Sequence, residues 1–430
     1  MSSEPFFSIV IPTTRSRLLK YSVRSALAQS YTKFEVVVSD NDAQGVAEEL
    51  SKFPDSRIRH VRTPHRLPIN RSWEFAFDNS QGDWILLLAD DDVILPSLLQ
   101  EIKVSLDHHP DMDIVTWRHG GFVEMSYHVS AARGNLASPP YSGNIHVVNN
   151  RDTLQGLYTL GGTPENFASV KRSYPGIAYS AYSRRLVQRV KEKIGVLFNP
   201  TTPDYAAGVA ALALSSSTLV IDKPLMIFHS TSDSNSAAAS GDLATVRQVY
   251  AELVDEPFRN VPFKGFLTNR NVIVDTLLDM KKLLPLELDQ FSVSWESYFK
   301  FVYFGLDQVR KQSGNTPIVQ QEFHDFFDAL SKQPASIKQS VMDYIESHAP
   351  PPTTNTSMPS ALMAQSRKLI REVSIGLMLR TKSFLFPSFI RQLAWRKGFS
   401  TKGSYAGVEN IFQFSQLLGQ VISKPGQRQP

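Results

Sequence analysis

Three consecutive carboxylates, Asp90, Asp91 and Asp92, follow the apolar run of residues 84–89. Adjacent negative charges repel, so a place at the end of a buried strand calls for compensation. A divalent cation is the simplest source. Mg²⁺ or Mn²⁺ prefers carboxylate oxygens and often bridges substrate phosphates. The competing reading is a solvated turn whose charges favourably precede a helix starting near Pro96. Two other polar groups stand in comparable places: Pro12-Thr13-Thr14-Arg15 after FFSIVI, and Ser39-Asp40-Asn41-Asp42 after FEVVV. Three such ends on one sheet edge are what a binding site requires, and they favour the cation. The spacing is not that of an EF-hand, and there is no Walker A lysine loop and no GxGxxG.

The elements that must carry these groups alternate. Strands are expected over residues 6–12, 34–40, 58–63, 84–89 and 113–117, with helices over 17–29, 48–50, 71–79 and 96–107. Near-continuous apolar strands between helices predict an α/β fold with a mostly parallel, helix-covered sheet. Ligands of such sheets bind beyond the C-terminal strand ends. Residues 121–170 are polar and rich in Gly, Ser, Asn and Pro, and read as loops or a flap. From about residue 245 the pattern turns helical, over 244–253, 272–284, 295–311, 319–330 and 337–346. The Pro-rich stretch 348–361 reads as a linker.

Composition narrows the classes. The 430 residues include 26 Phe and no Cys, which supports a sizeable core and excludes disulfides, thiolate metal sites and a Cys nucleophile. The N-terminus lacks a basic n-region and a long apolar stretch, so no secretory signal is expected. No apolar run reaches the length of a transmembrane helix. The net charge of +4 is uneven: residues 362–430 hold 11 Lys/Arg and two acids, +9, which leaves 4 − 9 = −5 for the rest. This basic, amphipathic tail suggests an anionic partner, either a membrane surface or the body of the protein; no nucleic-acid motif accompanies the charge.

The stretch SIVIPTTRSRLLKYSVRSALAQSYTKFEVVVSDND, followed by Gly82-Asp83-Trp84-Ile85, the acidic turn and Pro96, resembles family 2 glycosyltransferases of the GT-A fold. The likeness spans about residues 6–240 and is most specific through residue 117. It implies a GT-A domain at 1–244; beyond it the sequence pattern divides the chain into 245–347 (helical), 348–361 (linker) and 362–430 (basic tail). It also implies that Pro12, Thr13, Thr14 and Arg15 line a nucleotide-sugar pocket, that Asp40 bonds the base, and that Arg66, Asn70 or Arg71 reaches the diphosphate or sugar. Asp90 would lie near the ribose. Asp91 would be the main Mn²⁺ or Mg²⁺ ligand with Asp92 beside it, and His229 would complete the metal site, contact phosphate or be structural. The sequence departs from the family at Ser39 and Ala89, where relatives often carry an acid.

Further along, Pro203-Asp204-Tyr205 before a helix matches the family's catalytic base; alone, Asp204 reads equally well as a helix N-cap. Asp233 and Glu165 are the fallback bases. The resemblance thus implies an inverting transfer from a nucleotide-diphosphate sugar, with a leaning to UDP, onto a glycan or lipid-linked acceptor in surface polysaccharide synthesis. The site would be cytoplasmic or peripheral on the inner membrane face. The alternatives are a GT-A-like nucleotidyltransferase, disfavoured because PTTRSR has no glycine, and a non-catalytic scaffold. A glycoside hydrolase is disfavoured by the βα alternation.

Overall fold

A computed structural model describes residues 4–123, 136–138, 140–199, 202–231, 257–267, 270–348 and 399–401. The expected helix over 244–253, the linker after His348, nearly all of the basic tail, and Asp233 fall outside these residues.

The strands are β1 (Phe7–Thr13), β2 (Phe34–Asp40), β3 (Ile58–Arg62), β4 (Trp84–Leu87), β5 (Val93–Ile94), β6 (Ile114–Val123), β7 (Leu136–Ser138), β8 (Ile145–Asn149), β9 (Ser180–Ser183), β10 (Ser217–Ser230) and β11 (Phe399–Thr401). They form one mixed sheet. β3, β2, β1 and β4 run parallel, as the alternation predicts. β9 then lies between β4 and β6 and is antiparallel to both. β10 runs parallel to β6. β1 and β2 are buried along their whole length, which β-branched and aromatic side chains on both faces allow. Pro12 lies beyond the last β1–β4 pair, Val10–Leu87, where the missing N–H breaks no ladder on that side.

The helices are α1 (Leu19–Leu27), α2 (Val46–Ser51), α3 (Ile69–Asp78), α4 (Leu98–His108), α5 (Asn150–Tyr158), α6 (Phe167–Lys171), α7 (Arg184–Ile194), α8 (Pro203–Ala213), α9 (Arg270–Leu283), α10 (Pro285–Leu288), α11 (Trp295–Ser313), α12 (Pro317–Ser331) and α13 (Ala335–His348). Two cores follow from the strand period of two. Ile9, Ile11, Val36 and Val38 pack with α1 and α4 on one face. Val10, Val37, Ile85 and Leu87 pack on the other with α3 and α8, and that core runs on without a break into α9, α11 and α12.

Residues 121–170, expected as loops, contain β7, β8, α5 and α6. The α5 helix has a sound local cause, because the Asn149 side chain accepts from the Arg151 N–H at its start. The two-residue β5 was equally hidden.

The Gly82-Asp83-Trp84 motif has a packing explanation. A Cβ on Gly82 would lie 2.5 Å from the Ser8 backbone nitrogen. Its N–H donates to Ser8 Oγ at 2.7 Å, and Asp83 Oδ2 accepts from the Phe6 N–H at 2.9 Å. These contacts seat β4 against β1 and so fix where the acidic turn emerges.

Candidate active site

The strand ends converge. Thr13 pairs with Asp40 across β1 and β2, and Asp40 with Arg62 across β2 and β3. β4 delivers the acidic turn to the same edge, where the Leu88 N–H donates to the Val10 carbonyl. Thr13 Oγ1 donates to Asp90 Oδ2 at 2.6 Å. Arg15 spans two acids, with one terminal nitrogen 3.0 Å from Asp90 Oδ1 and 2.8 Å from Asp91 Oδ2. Asp92 Oδ1 accepts from the His229 N–H at 2.8 Å, and the His229 Nδ1 lies 3.2 Å from the Asp91 carbonyl. Much of the compensation sought for the three charges is therefore supplied by the chain itself.

It is incomplete. All three aspartates are buried, at 6–7 % exposure. Burial and the neighbouring Asp90 push the Asp91 carboxyl up to about 6, against the opposing pull of Arg15. Burial and Asp91 push Asp92 well above the ordinary carboxylate range, against its bond to the His229 amide. Two carboxylates thus share one guanidinium, and the surplus negative charge and hard oxygen donors suit a divalent cation. A ready-made cage is not present. Among the described residues no set of three His, Asp or Glu side chains is arranged to hold an ion. Asp91, Asp92 and His229 are neighbours, but the Asp91 carboxylate is turned to Arg15 and the Asp92 carboxylate to a backbone amide. The expected residues Asp91, Asp92 and His229 are thus brought together at the turn without forming a closed cage.

The turn is held from behind by α1. Ser22 Oγ donates to the Asp92 carbonyl at 2.7 Å, and Ser25 Oγ accepts from the Ile94 N–H at 3.2 Å. Gln29 donates to the Leu95 carbonyl at 2.9 Å and accepts from the Leu99 N–H at 3.1 Å. Ser22 and Ser25 lie on one buried face of α1, and Gln29 follows just beyond its end. The sequence reading recorded them only as part of a family pattern. A run of buried Ser and Gln at helical spacing was the signal.

Asp40 is fully buried. Its Oδ1 accepts from the Ala43 N–H at 2.7 Å and its Oδ2 meets Arg62 at 3.0 Å. Asn41 ties the loop before α3 by bonds to both backbone groups of Leu67, each 2.8 Å long. Arg66 and Arg71 are exposed and Asn70 is half-buried, at the start of α3, while Thr14 is exposed beside the turn.

Asp204 sits in the first turn of α8, half-buried behind Pro203. Burial raises its carboxyl above the usual range, opposed by the Tyr205 and Asp204 N–H groups and then by Lys171. Its charge is felt by Tyr179, whose ring centroid lies 5.3 Å from His119 and 6.0 Å from Phe228, the neighbour of His229. Aromatic contacts thus run from Tyr179, which feels the Asp204 charge, through His119 and Phe228 towards His229. Glu165 lies elsewhere: it accepts from Tyr344 Oη at 3.1 Å, on α13.

Residues 8–154 match the family model described as Glycosyl transferase family 2. A Campylobacter jejuni protein named GalNAc(5)-diNAcBac-PP-undecaprenol beta-1,3-glucosyltransferase is 28 % identical over 104 residues, 23 % of this chain and 33 % of that protein. A Haemophilus influenzae protein named an uncharacterized glycosyltransferase is 25 % identical over 111 residues, 25 % of this chain and 37 % of that protein. The chain therefore matches about a third of the length of these relatives. Among solved structures, S. aureus TarS 1-349 in complex with UDP-GlcNAc aligns with a TM-score of 0.45 at 16 % identity, covering 80 % of this chain and 92 % of that one.

Proposed function

We propose that this chain, which belongs to glycosyl transferase family 2 over residues 8–154, is an inverting glycosyltransferase that moves a sugar from a UDP-linked donor to an acceptor hydroxyl. The observation that carries this reading is the meeting of Thr13, Arg15, Asp90 and Asp91 beyond the C-terminal strand ends, where surplus negative charge gathers. A nucleotide is read to lie across the ends of β1 and β2, between Pro12, Thr13, Thr14 and Asp40. Arg66, Asn70 and Arg71, at the entrance to α3, are the groups read to meet its phosphates or sugar. Asp91, with Asp92 behind it, would hold Mn²⁺ or Mg²⁺, which when bound supplies positive charge to a diphosphate leaving group.

The protein's own groups do the rest. Asp204 takes the proton from the acceptor hydroxyl as that oxygen attacks, acting as general base. Donor and acceptor held in line gain by orientation, and one displacement inverts the anomeric centre. The acceptor is read as a glycan or a lipid-linked glycan. Among the described residues no helix is long and apolar enough to cross a membrane.

A thermal-shift series with nucleoside diphosphates and Mn²⁺ tests the reading. Ligands that bind only the native state stabilise it by mass action, about 2.7 kcal/mol at a hundred times Kd. UDP with Mn²⁺ should raise the melting midpoint of the wild type, and Asp91→Asn should abolish the Mn²⁺-dependent part of the rise and the metal-dependent hydrolysis of donor. If no nucleoside diphosphate moves the midpoint, the nucleotide-sugar assignment is wrong.

A further inference from the structure

We propose that Thr276, from the helical region beyond the family match, is a positioning residue for Asp204. It engages the hydroxyl of the cap residue Thr202 and so leaves the first-turn amides of α8 to the Asp204 carboxylate. The inference rests on the reading of Asp204 as the acceptor-side base. Thr202 stands at the N-cap of α8 in extended backbone, φ −155° and ψ 100°, from which a threonine ordinarily caps its own helix. Its side chain makes no cap bond. It meets Thr276 Oγ1 on α9 instead, and Thr276 in turn donates to the Val272 carbonyl at 2.7 Å. The Thr276 proton is committed within α9, so the Thr202 hydroxyl is the donor of the pair. Both threonines are buried.

A cap side chain accepts from the second or third N–H of its helix. In α8 these belong to Asp204 and Tyr205, and both act instead on the Asp204 carboxylate. The turn is closed by the Ala206 N–H, which donates to the Thr202 carbonyl at 2.8 Å. Tyr174 fixes it from another side, because its Oη donates to the Tyr205 carbonyl at 2.7 Å. Gly208 leaves room for that contact, since a Cβ there would lie 2.3 Å from the Tyr174 Oη. The base is therefore gripped by the two donors that its own cap has given up. A Thr202 released from Thr276 is free to turn back and compete for them.

Losing those donors makes the ionised carboxylate less favourable and adds to the effect of burial. The other groups that face Asp204 are Lys171 on α6, Tyr174 and Tyr179 before β9, Tyr182 on β9 and Tyr205 on α8. Arg270 of α9 acts on Lys171 and Tyr205. Burial raises Tyr174, Tyr179 and Tyr182, so they stay neutral up to pH 7. Lys171, lowered by burial and then by Arg270, is common to every variant compared.

Melting of the full chain near pH 3.8, the unfolded Asp value, and at pH 7 tests the clasp without substrate. Thr276→Val removes the acceptor at nearly constant shape and frees Thr202. A native Asp204 value raised further means stability that is present in acid and lost as pH climbs through that value. The drop in melting midpoint from wild type should therefore be larger at pH 7 than in acid, by about 2–4 °C for a tenfold change in proton affinity. Thr202→Val, which removes the competitor, should show a drop independent of pH, as should Thr276→Val placed in Asp204→Asn. Thr276→Ser should behave as wild type. If the valine variant does not melt cooperatively, Thr276→Ala takes its place with the same expectation. A drop that is equal at both pH values in Thr276→Val, or one that grows with pH in Thr202→Val as well, overturns the positioning role and leaves a packing contact. A pH-dependent drop found beside an Asp204→Asn that transfers at the wild-type rate would instead reject the base and keep the clasp.

Discussion

Asp204 owes its proton affinity to its position. Its carboxyl is raised by burial and only partly restrained by two backbone N–H groups and Lys171. A raised native value means the folded chain prefers the protonated acid. The preference contributes stability that is fully present below the unfolded value near 3.8 and is lost as pH climbs through the higher native value. Asp204→Asn should therefore melt higher than wild type at pH 7, with the difference closing in acid. Transfer should fall about 10²–10⁴-fold, and the acid limb of the wild-type rate profile should lie above the ordinary Asp range. A variant that melts and transfers like wild type at pH 7 would leave Asp204 as a first-turn acid with no catalytic part; the N-cap itself is Thr202. Pro203-Asp204-Tyr205 was legible in the sequence because a proline, an acid and an apolar helix stand together. The contact of Phe167 with Phe301 was not, because nothing local marks two distant residues that meet only in the fold. The pairing of Arg15 with Asp90 and Asp91 was hidden for the same reason: residue type announced the charge, not its partner.

At the scale of elements, α1 is a bracket for the acidic turn. Gln29 closes both a carbonyl and an N–H of the segment between the turn and α4. Gln29→Leu keeps the bulk and leaves the Leu99 N–H without this partner, while the Leu95 carbonyl keeps its bond from the Leu98 N–H. It should cost about 1–3 kcal/mol, read as a lower urea midpoint at unchanged slope, and should weaken stabilisation by UDP with Mn²⁺ although residue 29 touches no ligand. Unchanged stability and nucleotide binding would show that the turn holds its shape without α1. The first four parallel strands were readable from apolar runs such as Phe34–Asp40, whose burial on both faces needs no alternation. The polar region before Phe167 misled, since Gly, Ser and Asn suggest loops. Yet Asn149 starts a helix there, and β8 stays largely exposed although it carries Ile145, Val147 and Val148.

For the whole molecule, the helical region shares its core with the sheet. Ala207 and Val209 of α8 lie in one buried cluster with Val272, Ile273, Tyr298 and Phe326. A chain ended at residue 244 would expose that face of α8, and each large side chain left wet forgoes roughly 1.5–3 kcal/mol. Such a truncation should show no cooperative melt and should bind a hydrophobic dye, whereas the full chain should melt in one transition through these elements. A truncated chain that melts sharply near the full-length midpoint would make residues 1–244 a self-sufficient domain. The placement of β9 carries a consequence for how such a protein can diversify. Residues 8–154 carry the family pattern, yet the strand Ser180–Ser183, from beyond them, is stitched between β4 and β6. The region that matches the family and the chain beyond it are therefore not detachable blocks. Change must then work around this shared seam, and a graft that cuts before β9 would leave the strands of the matched region with an open sheet.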